Sequence, residues 1–438
     1  MNKILFITIL LLAAAITPTD AASLRFDGCD LPPYSETPSA ATGLDGIYVL
    51  HATAGVSVTL EGINGANAVW KTFGYLGATH AEDVDPSYVS HDGQSTTLNL
   101  VNGDTGYAVS YGTDTYYFWV VDYSAHPFSI QSLTPSAEQD CGSITFDFAG
   151  TADRITYYGI NARSYELNRG ITLSYRTLEA NREQVVYTQV EKQETFASLG
   201  ETFHATAPLC DTPFTLSGDK FLTHWGQDIS YDVPTVTAYA IDIITSAEQI
   251  QRDGNDNEIK TDATLGGSAP IEIQFKGAVT DAAAFHEWQM SHDPEFGDIE
   301  YRNRDLDVTY TFTEMGTYYM RLSAANQQGE CAIDSEPYVV TVAESVLRCP
   351  NAFSPGASEG VNDIWRVSYK SIVSFECYIF DRWGTKMTEF HDPSQGWDGH
   401  YRGKLVPAGV YYYVIKARGS DGKNYNLSGD INILRSNR

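Results

Sequence analysis

The sequence predicts an all-β protein built of tandem β-sandwich domains, and three observations carry this prediction. Runs of Val, Ile, Thr, Tyr and Phe alternate with Gly, Asn and Asp at intervals of roughly ten residues, which is typical of short strands joined by tight turns. The run Thr115–Val121 is wholly β-branched and aromatic, as expected of a buried strand. Helical periodicity is scarce, and its best example, Ser246–Arg252, spans barely two turns.

Length and charge divide the chain. Its 438 residues allow three or four domains of about 100–200 residues each. Leu24–Pro135 holds two basic and twelve acidic residues, whereas Val346–Arg438 holds twelve basic and nine acidic ones. This reversal marks the last segment as a separate unit. The predicted segments are a signal peptide at 1–22, an acidic β domain at 23–137, a second β domain with a polar linker at 138–262, a third domain at 263–345 and a fourth at 346–438.

The amino terminus has the three regions of a secretory signal peptide. Lys3 supplies a positive charge, Ile4–Ile16 form the apolar segment, and small residues around Ala21 follow. The apolar run is shorter than the roughly 20 residues of a membrane-spanning helix, and no later stretch approaches that length. We therefore expect export and a mature chain without a transmembrane segment.

The overall charge narrows the choice of partners. The formal net charge is −28, from 56 Asp and Glu against 28 Lys and Arg. Such a chain repels nucleic acid and anionic lipid, because both are negatively charged. Nucleic acid is therefore not expected as a partner, and the acidity fits an extracellular or cell-surface location.

Six cysteines in an exported chain predict disulfide bonds. They are Cys29, Cys141, Cys210, Cys331, Cys349 and Cys377. Zinc is not expected, because no Cys-x-x-Cys pair occurs and the spacings are wide. The pairings that we expect are Cys210–Cys331 and Cys349–Cys377.

No catalytic motif is recognisable. His286, Glu287 and His292 are ligand types, but zincin histidines lie four residues apart on a helix, and these two lie six apart on a predicted strand and loop. Neither a P-loop nor a dinucleotide fingerprint occurs. The carboxylates are too numerous for a glycosidase pair to be singled out. We therefore expect no catalytic site and no zinc site.

One segment has a pattern of oxygen-bearing side chains that invites a calcium site. It contains Asp253, Asn255, Asn257 and Glu258. An EF-hand needs glycine at the sixth position, and here Gly254 is at the second, so that motif is excluded. A looser calcium site between domains remains as the one cofactor alternative to a solvated linker.

Residues Gly266–Val342 carry two sandwich patterns. Phe285–Trp288 has the aromatic residues of a central strand, and Tyr310–Leu322 combines a turn at Gly316 with an alternating strand. The segment resembles a PKD or related Ig-like repeat, which implies a two-sheet sandwich with Trp288 between the sheets. The residues expected in its core pattern are Trp288, Phe312, Gly316 and Tyr318.

The end of the chain carries a longer series of motifs in order. They comprise Asn351, Phe353, Pro355, Asn362, Asp363, Arg382, Trp383, Gly384, Gly396, Trp397, Asp398, Gly399, Gly403, Pro407, Gly409 and Tyr411. With them, Cys349–Arg435 resembles the gliding-motility-associated C-terminal domain, the type B sorting domain of type IX secretion in Bacteroidota. The family's first loop is commonly Asn-Gly-Asp-Gly, but Ala357–Gly360 offers fewer ligands, so calcium is not expected there.

The resemblance implies an Ig-like domain that the type IX translocon reads. Trp383, Trp397 and the glycines beside them are expected to shape its fold, and Asp398-Gly399 and Asp421-Gly422 to form hairpin turns. The chain would then be an exported binding protein that recognises an unknown surface protein or glycan, in adhesion or envelope assembly. Two alternatives stay open: a secreted hydrolase with an unfamiliar site in residues 24–250, and a structural envelope or filament subunit.

Overall fold

The structure, a computed structural model, describes residues 22–137, 139–251, 256–261, 263–357 and 360–434. Within these ranges the chain is almost entirely strands, with a single five-residue α-helix, α1 (Lys220–His224), so the predicted all-β fold is confirmed. Short 3₁₀ helices lie at Ala40–Thr42, Gly65–Asn67, Ala78–His80, Pro86–Tyr88 and Tyr123–Ala125. The predicted signal peptide falls outside the described residues except for Ala22.

The first unit is a sandwich of two sheets, ordered β1-β4-β8-β7 and β2-β3-β10-β9-β5-β6. The predicted strand Thr115–Val121 lies within β10, whose last residues are buried because both sheet faces are covered there. The strands are β1 (Ser23–Asp27), β2 (Tyr34–Glu36), β3 (Gly46–Leu50), β4 (Ser57–Glu61), β5 (Val69–Phe73), β6 (Glu82–Asp83), β7 (Val89–His91), β8 (Ser95–Leu98), β9 (Thr105–Tyr111) and β10 (Asp114–Asp122).

The second unit contains the sheets β11-β12-β17, β13-β14 and β16-β15-β18-β19. Its strands are β11 (Ser129–Pro135), β12 (Ser143–Thr151), β13 (Ile155–Tyr158), β14 (Ser164–Leu167), β15 (Ile171–Asn181), β16 (Val186–Phe196), β17 (Thr202–Thr206), β18 (Thr212–Gly218) and β19 (Ile229–Val236). The boundary predicted at 137 is wrong. It falls inside the antiparallel hairpin β11–β12, so β11 belongs to the second unit.

The third unit contains the sheets β20-β22-β25 and β21-β28-β26-β23-β24, with β27 also on β26. Its strands are β20 (Ile243–Gln249), β21 (Gly266–Gly267), β22 (Ile271–Val279), β23 (Phe285–Ser291), β24 (Tyr301–Asn303), β25 (Asp307–Phe312), β26 (Gly316–Ala325), β27 (Ala332–Asp334) and β28 (Tyr338–Val342). Ser246–Gln249, the described part of the segment with the best helical periodicity apart from Ile250 and Gln251, lies in strand β20. Because β20 pairs with β22, the unit begins near Ile243, not at residue 263.

The fourth unit is built on the sheet β30-β37-β36-β32-β33, with β29-β31 and β34-β35 as small pairs. The last two long strands form a hairpin whose turn is the predicted Asp421-Gly422 dipeptide. The strands are β29 (Val346–Arg348), β30 (Ala352–Phe353), β31 (Ser368–Lys370), β32 (Ile372–Phe380), β33 (Lys386–Phe390), β34 (His400–Tyr401), β35 (Lys404–Leu405), β36 (Gly409–Gly419) and β37 (Asn424–Ile433).

A buried ion pair lies where the first unit meets the second. The Arg169 Nη2 and Asp219 Oδ2 atoms are 2.8 Å apart, and both side chains are 0% exposed. The Tyr123 hydroxyl donates to the same carboxylate at 3.1 Å. The guanidinium also donates to the carbonyls of Asp153 at 3.0 Å and His126 at 2.8 Å. Each charge is thus paired and hydrogen-bonded, as burial requires, and the two units share one apolar core.

The disulfide bond joins the second unit to the third. It links Cys141, which precedes β12, to Cys331, which precedes β27, across 190 residues of chain. The predicted Cys210–Cys331 bond is therefore wrong, and Cys210 is a buried free thiol. The predicted Cys349–Cys377 bond is absent as well, since both side chains are free thiols. The correct partner depends on how two sandwiches dock, which no local pattern reports.

We expect the mature chain, unfolded without reductant, to titrate four thiols, and six after reduction. Peptide mapping without reductant should recover a Cys141–Cys331 peptide. Recovery of Cys331 bonded to Cys210 would contradict the docking of the second and third units.

We expect Asp219→Asn to lower the free energy of unfolding by about 3–5 kcal/mol, because it leaves the Arg169 charge buried and uncompensated. Denaturant unfolding of the full chain, followed by tryptophan fluorescence, measures the loss. Asp228→Asn removes the same charge from an exposed position nearby and is the matched control. Equal stability of the two variants would contradict the role of the ion pair.

Candidate functional site: the fourth unit

Two tryptophans form the centre of the fourth unit. The Trp365 amide donates to the Trp397 carbonyl at 2.8 Å, and the Trp397 amide donates to the Trp365 carbonyl at 2.9 Å. Each buried indole N–H has an acceptor: the Pro350 carbonyl at 2.7 Å for Trp365, and the His400 carbonyl at 3.0 Å for Trp397. The indoles thus anchor loops that contribute no long strand to the main sheet.

The motif glycine next to Trp397 is required by this close backbone pairing. A Cβ on Gly396 would lie 2.5 Å from the Trp365 carbonyl oxygen, which is closer than any real Cβ contact. Any side chain at this position would therefore push Trp365 and Trp397 apart. Gly384 lies in the turn between β32 and β33, and Gly409 begins β36.

The hairpin expected at Asp398-Gly399 lies four residues further along. The turn between β34 and β35 is Arg402-Gly403, and both residues have positive φ, 49° and 78°. Gly399 also has a positive φ of 78°, but it precedes the hairpin. The Asp398 Oδ1 accepts the His400 amide at 2.9 Å, which forms an Asx turn there.

The first motif loop is closed by a single carboxylate. Asp363 accepts the Gly356 amide at 2.8 Å through Oδ1 and the Gly360 amide at 2.7 Å through Oδ2. The Ser354 amide donates to the Asn362 carbonyl at 2.8 Å. Ser358 and Glu359 lie outside the described residues. Asp363 therefore closes the turn with the backbone of its own loop.

The first three motif residues, Asn351, Phe353 and Pro355, lie at the edge of the main sheet or in the core. The Asn351 carbonyl accepts the Asn432 amide at 2.9 Å, beside the parallel pairing of β30 with β37. Phe353 is buried and its ring centroid lies 5.5 Å from that of Trp397. Pro355 is buried next to Gly399.

A tyrosine hydroxyl fixes the start of β36. Tyr411 is buried and donates to the Pro407 carbonyl at 3.0 Å. Tyr318 of the third unit does the same to the Glu314 carbonyl at 2.9 Å. Such tyrosine corners are a hallmark of Ig-like sandwiches. Both tyrosines stand in a Gly-x-Tyr pattern, which is the signal in the sequence from which this correspondence could have been predicted.

The other motif tryptophan lies in solvent. Trp383 is 77% exposed at the turn between β32 and β33, so it does not shape the core as expected. The turn is held by Asp381, whose Oδ1 accepts the amides of Trp383 and Thr385 at 2.8 Å. Burial raises the pKa of Asp381, the backbone hydrogen bonds lower it, and the net pKa is below the usual range. The Arg382 guanidinium stacks 4.7 Å from the indole centroid.

Trp383 borders an open groove and an apolar sheet face. The groove has a volume of about 360 Å³ and is also lined by Met387 and Pro407. It continues to the solvent face of β36, where Val410, Tyr412 and Val414 are exposed. Exposed apolar surface that is contiguous and rimmed by polar groups marks interaction sites. The fourth unit thus presents a surface suited to a protein partner.

Three of the four pattern residues of the third unit lie in its core. Trp288 is fully buried, and its indole donates to the Leu306 carbonyl at 2.9 Å. Phe312 and Tyr318 stack edge to face with centroids 5.0 Å apart, and Gly316 begins β26. Trp288, Phe312 and Tyr318 therefore belong to the inter-sheet core, and Gly316 lies at its margin.

The candidate metal positions do not converge. In the described ranges, no three His, Cys, Asp or Glu side chains are placed to hold a metal ion. His286 lies on β23, while the His292 Nδ1 bonds the Thr317 carbonyl at 2.6 Å. Asp253 and Asn255 lie outside the described residues. The Asn257 amide nitrogen donates to the fourth unit.

Comparison with known families identifies two of the four units. A model of the fibronectin type III domain matches residues 133–233, which is the second unit. A model of the CHU_C type IX secretion signal domain matches residues 347–433, which is the fourth unit. No curated protein matches the chain.

Solved structures similar to the chain are remote. A tetra-tandem repeat from the extending region of a large adhesion protein has 11% identity and a TM-score of 0.22, covering 88% of this chain and 97% of that one. The fibronectin(III)-like modules of Clostridium thermocellum CbhA have 13% identity and a TM-score of 0.18, covering 40% and 93%. Dimeric latent PorU from Porphyromonas gingivalis has 10% identity and a TM-score of 0.15, covering 75% and 36%. At these scores the likenesses carry no functional argument.

The fold and the family matches define an exported protein of tandem fibronectin type III and Ig-like sandwiches. Its fourth unit is a type IX secretion sorting domain, so the predicted resemblance is confirmed. The chain is thus a type IX-sorted protein, delivered to the cell surface or the extracellular space, and the secretion machinery is its partner. In the part of the chain that the structure describes, no helix is long and apolar enough to cross a membrane.

We expect Trp383→Ala to reduce export while changing the free energy of unfolding by no more than about 0.5 kcal/mol, since the indole is exposed. Trp397→Ala should instead destabilise by about 3–5 kcal/mol, because that indole is buried. Thermal unfolding and the extracellular fraction of the full chain measure both effects. Wild-type export of Trp383→Ala would show that the secretion machinery does not contact this side chain.

Proposed function

We propose that residues Leu24–Ser345, which the sorting domain carries outside the cell, act by binding a surface glycan or protein, in adhesion or envelope assembly. An exposed apolar groove on the first unit supports the proposal. A fold of this kind does not set a function by itself, so the argument rests on the groove.

The groove lies between the two sheets of the first unit and has a volume of about 180 Å³. Tyr88 and Leu100 line it and are 44% and 43% exposed, so two large apolar side chains are brought together at the surface, as at interaction sites. Tyr107 lies at its base and is fixed there, because its hydroxyl accepts the Asn102 amide at 2.7 Å and donates to the Asn102 carbonyl at 3.1 Å.

The groove combines an apolar floor with hydrogen-bonding groups. Asp85 lines it and accepts the Ser87 amide at 2.9 Å. This backbone hydrogen bond holds the pKa of Asp85 below its usual range, so the carboxylate is ionised at neutral pH and can accept hydroxyl groups. A tyrosine ring beside a carboxylate suits one sugar ring, whose apolar face stacks while its hydroxyls donate. An aromatic side chain of a protein fits the same surface.

The double substitution Tyr88→Ser with Leu100→Ser should reduce binding at least about tenfold, since it removes the apolar contact surface, worth more than 1.4 kcal/mol by area. Binding of the full mature chain to intact cells of the producing strain, and to their purified surface polysaccharide, measures the loss.

Tyr75→Ser removes an exposed tyrosine of the same unit that does not line the groove, and is the matched control. Equal binding by the two variants would contradict the groove as the binding site. Release of reducing sugar or peptide by the wild-type chain would favour a hydrolase instead.

A further inference from the structure

We infer that the folded export signal extends beyond the sorting domain into the third unit, and that residues 256–261 act as an additional edge strand of that domain. The inference rests on the type IX sorting role of residues 347–433. Residues 256–261, which we infer to be part of the export signal, lie between β20 and β21 of the third unit.

Residues 257–259 of the third unit pair with a strand of the sorting domain. Glu258 forms a parallel bridge with Tyr369 at the centre of β31. The Tyr369 amide donates to the Asn257 carbonyl at 3.1 Å, and the Ile259 amide donates to the Tyr369 carbonyl at 2.8 Å. On its other side β31 pairs with β29. Residues 256–261 therefore cover the open edge of a two-stranded sheet in the sorting domain, an edge that would otherwise expose its polar backbone groups.

The side chain of Asn257 joins the third unit to two loops of the sorting domain. Its amide nitrogen donates to the Val367 carbonyl at 2.8 Å and to the Pro393 carbonyl at 2.7 Å. Both amide hydrogens are thus used, and they join two loops of the sorting domain that are far apart in sequence. A carboxylate in this place would present oxygen to both carbonyls and could donate to neither.

Two serines, Ser268 of the third unit and Ser371 of the sorting domain, each accept a backbone hydrogen bond from the other unit. The Ser371 amide donates to the Ser268 Oγ at 2.7 Å, and the Ala269 amide donates to the Ser371 Oγ at 3.1 Å. Ser371 is fully buried and has a φ of +51°, a conformation that non-glycine residues adopt only when their surroundings hold them. The third unit supplies the two serine contacts, and the Ser420 amide of the fourth unit donates to the Ser371 carbonyl at 3.0 Å.

The hairpin between β36 and β37 also contacts the third unit. The Met315 amide of the third unit donates to the Ser420 carbonyl at 2.9 Å, and the Ser420 hydroxyl donates to the Ala343 carbonyl at 2.8 Å. Val373 of β32 packs against the apolar core of the third unit. In a fragment that begins at Val346, Ser420 and Val373 would lose these contacts with the third unit. The family match thus marks the sorting motif, but not the whole folded surface on which it depends.

The test compares Asn257→Asp with Asn426→Asp in the full chain. Both substitutions add one negative charge, but Asn426 is exposed on β37. Hydrogen exchange of purified protein should show loss of protection at the Ile259 and Tyr369 amides in Asn257→Asp alone. The extracellular fraction in a type IX-competent host should fall at least about threefold for Asn257→Asp and stay at the wild-type level for Asn426→Asp, because the added charge on exposed Asn426 is solvated and screened by salt.

Wild-type protection and export of Asn257→Asp would overturn the inference. Hydrogen exchange is read on purified protein, so it tests the shared fold independently of secretion. Failure of the wild-type chain to leave the periplasm would count against the sorting assignment, not against this contact.

Discussion

The arrangement of the first two units depends on the buried contact between Arg169 and Asp219. Both residues belong to the second unit, and the segment after β10 that holds Tyr123 and His126 covers the pair and hydrogen-bonds to it, so this segment ties the first unit to a buried charge pair that is costly to expose incompletely paired. The groups that satisfy Arg169 come from distant parts of the chain, at His126, Asp153 and Asp219. The contact is therefore complete only after the second sandwich has formed and the segment that holds Tyr123 and His126 has packed on it.

The two later junctions between units are also held by specific bonds, although these are of other kinds. The second and third units are tied by Cys141–Cys331, and the third and fourth by the hydrogen bonds of Asn257 and Ser371. Hydrogen bonds of this kind are geometrically specific, whereas apolar contact alone would tolerate sliding. Consecutive sandwiches are thus held in fixed relation. A sorting domain joined in this way is a continuation of the protein that it exports, not a tag on a free linker.

Local patterns predicted what local physics decides. β10 and the Asp421-Gly422 hairpin follow from residue type and turn chemistry within a few positions. The disulfide partner of Cys331 does not, because Cys141 is brought to it by docking of two units. β20 was not predicted as a strand, because its local sequence has a weak helical period and its pairing with β22 is a tertiary contact. Trp383 and Trp397 each neighbour a glycine, and only the approach of Trp365 distinguishes the buried indole from the exposed one.

The free cysteines explain how one correct bond can survive an oxidising compartment. Disulfide exchange needs a thiolate, and burial raises the pKa of Cys349 and raises that of Cys377 to about 12. The pKa of Cys29 is raised by burial and then by the carboxylates of Asp30 and Asp27. These three thiols stay protonated at neutral pH once the chain is folded, so they are poor nucleophiles. Cys141 and Cys331 meet only across a formed interface, so correct docking selects the native pair and folding protects it from Cys29, Cys349 and Cys377.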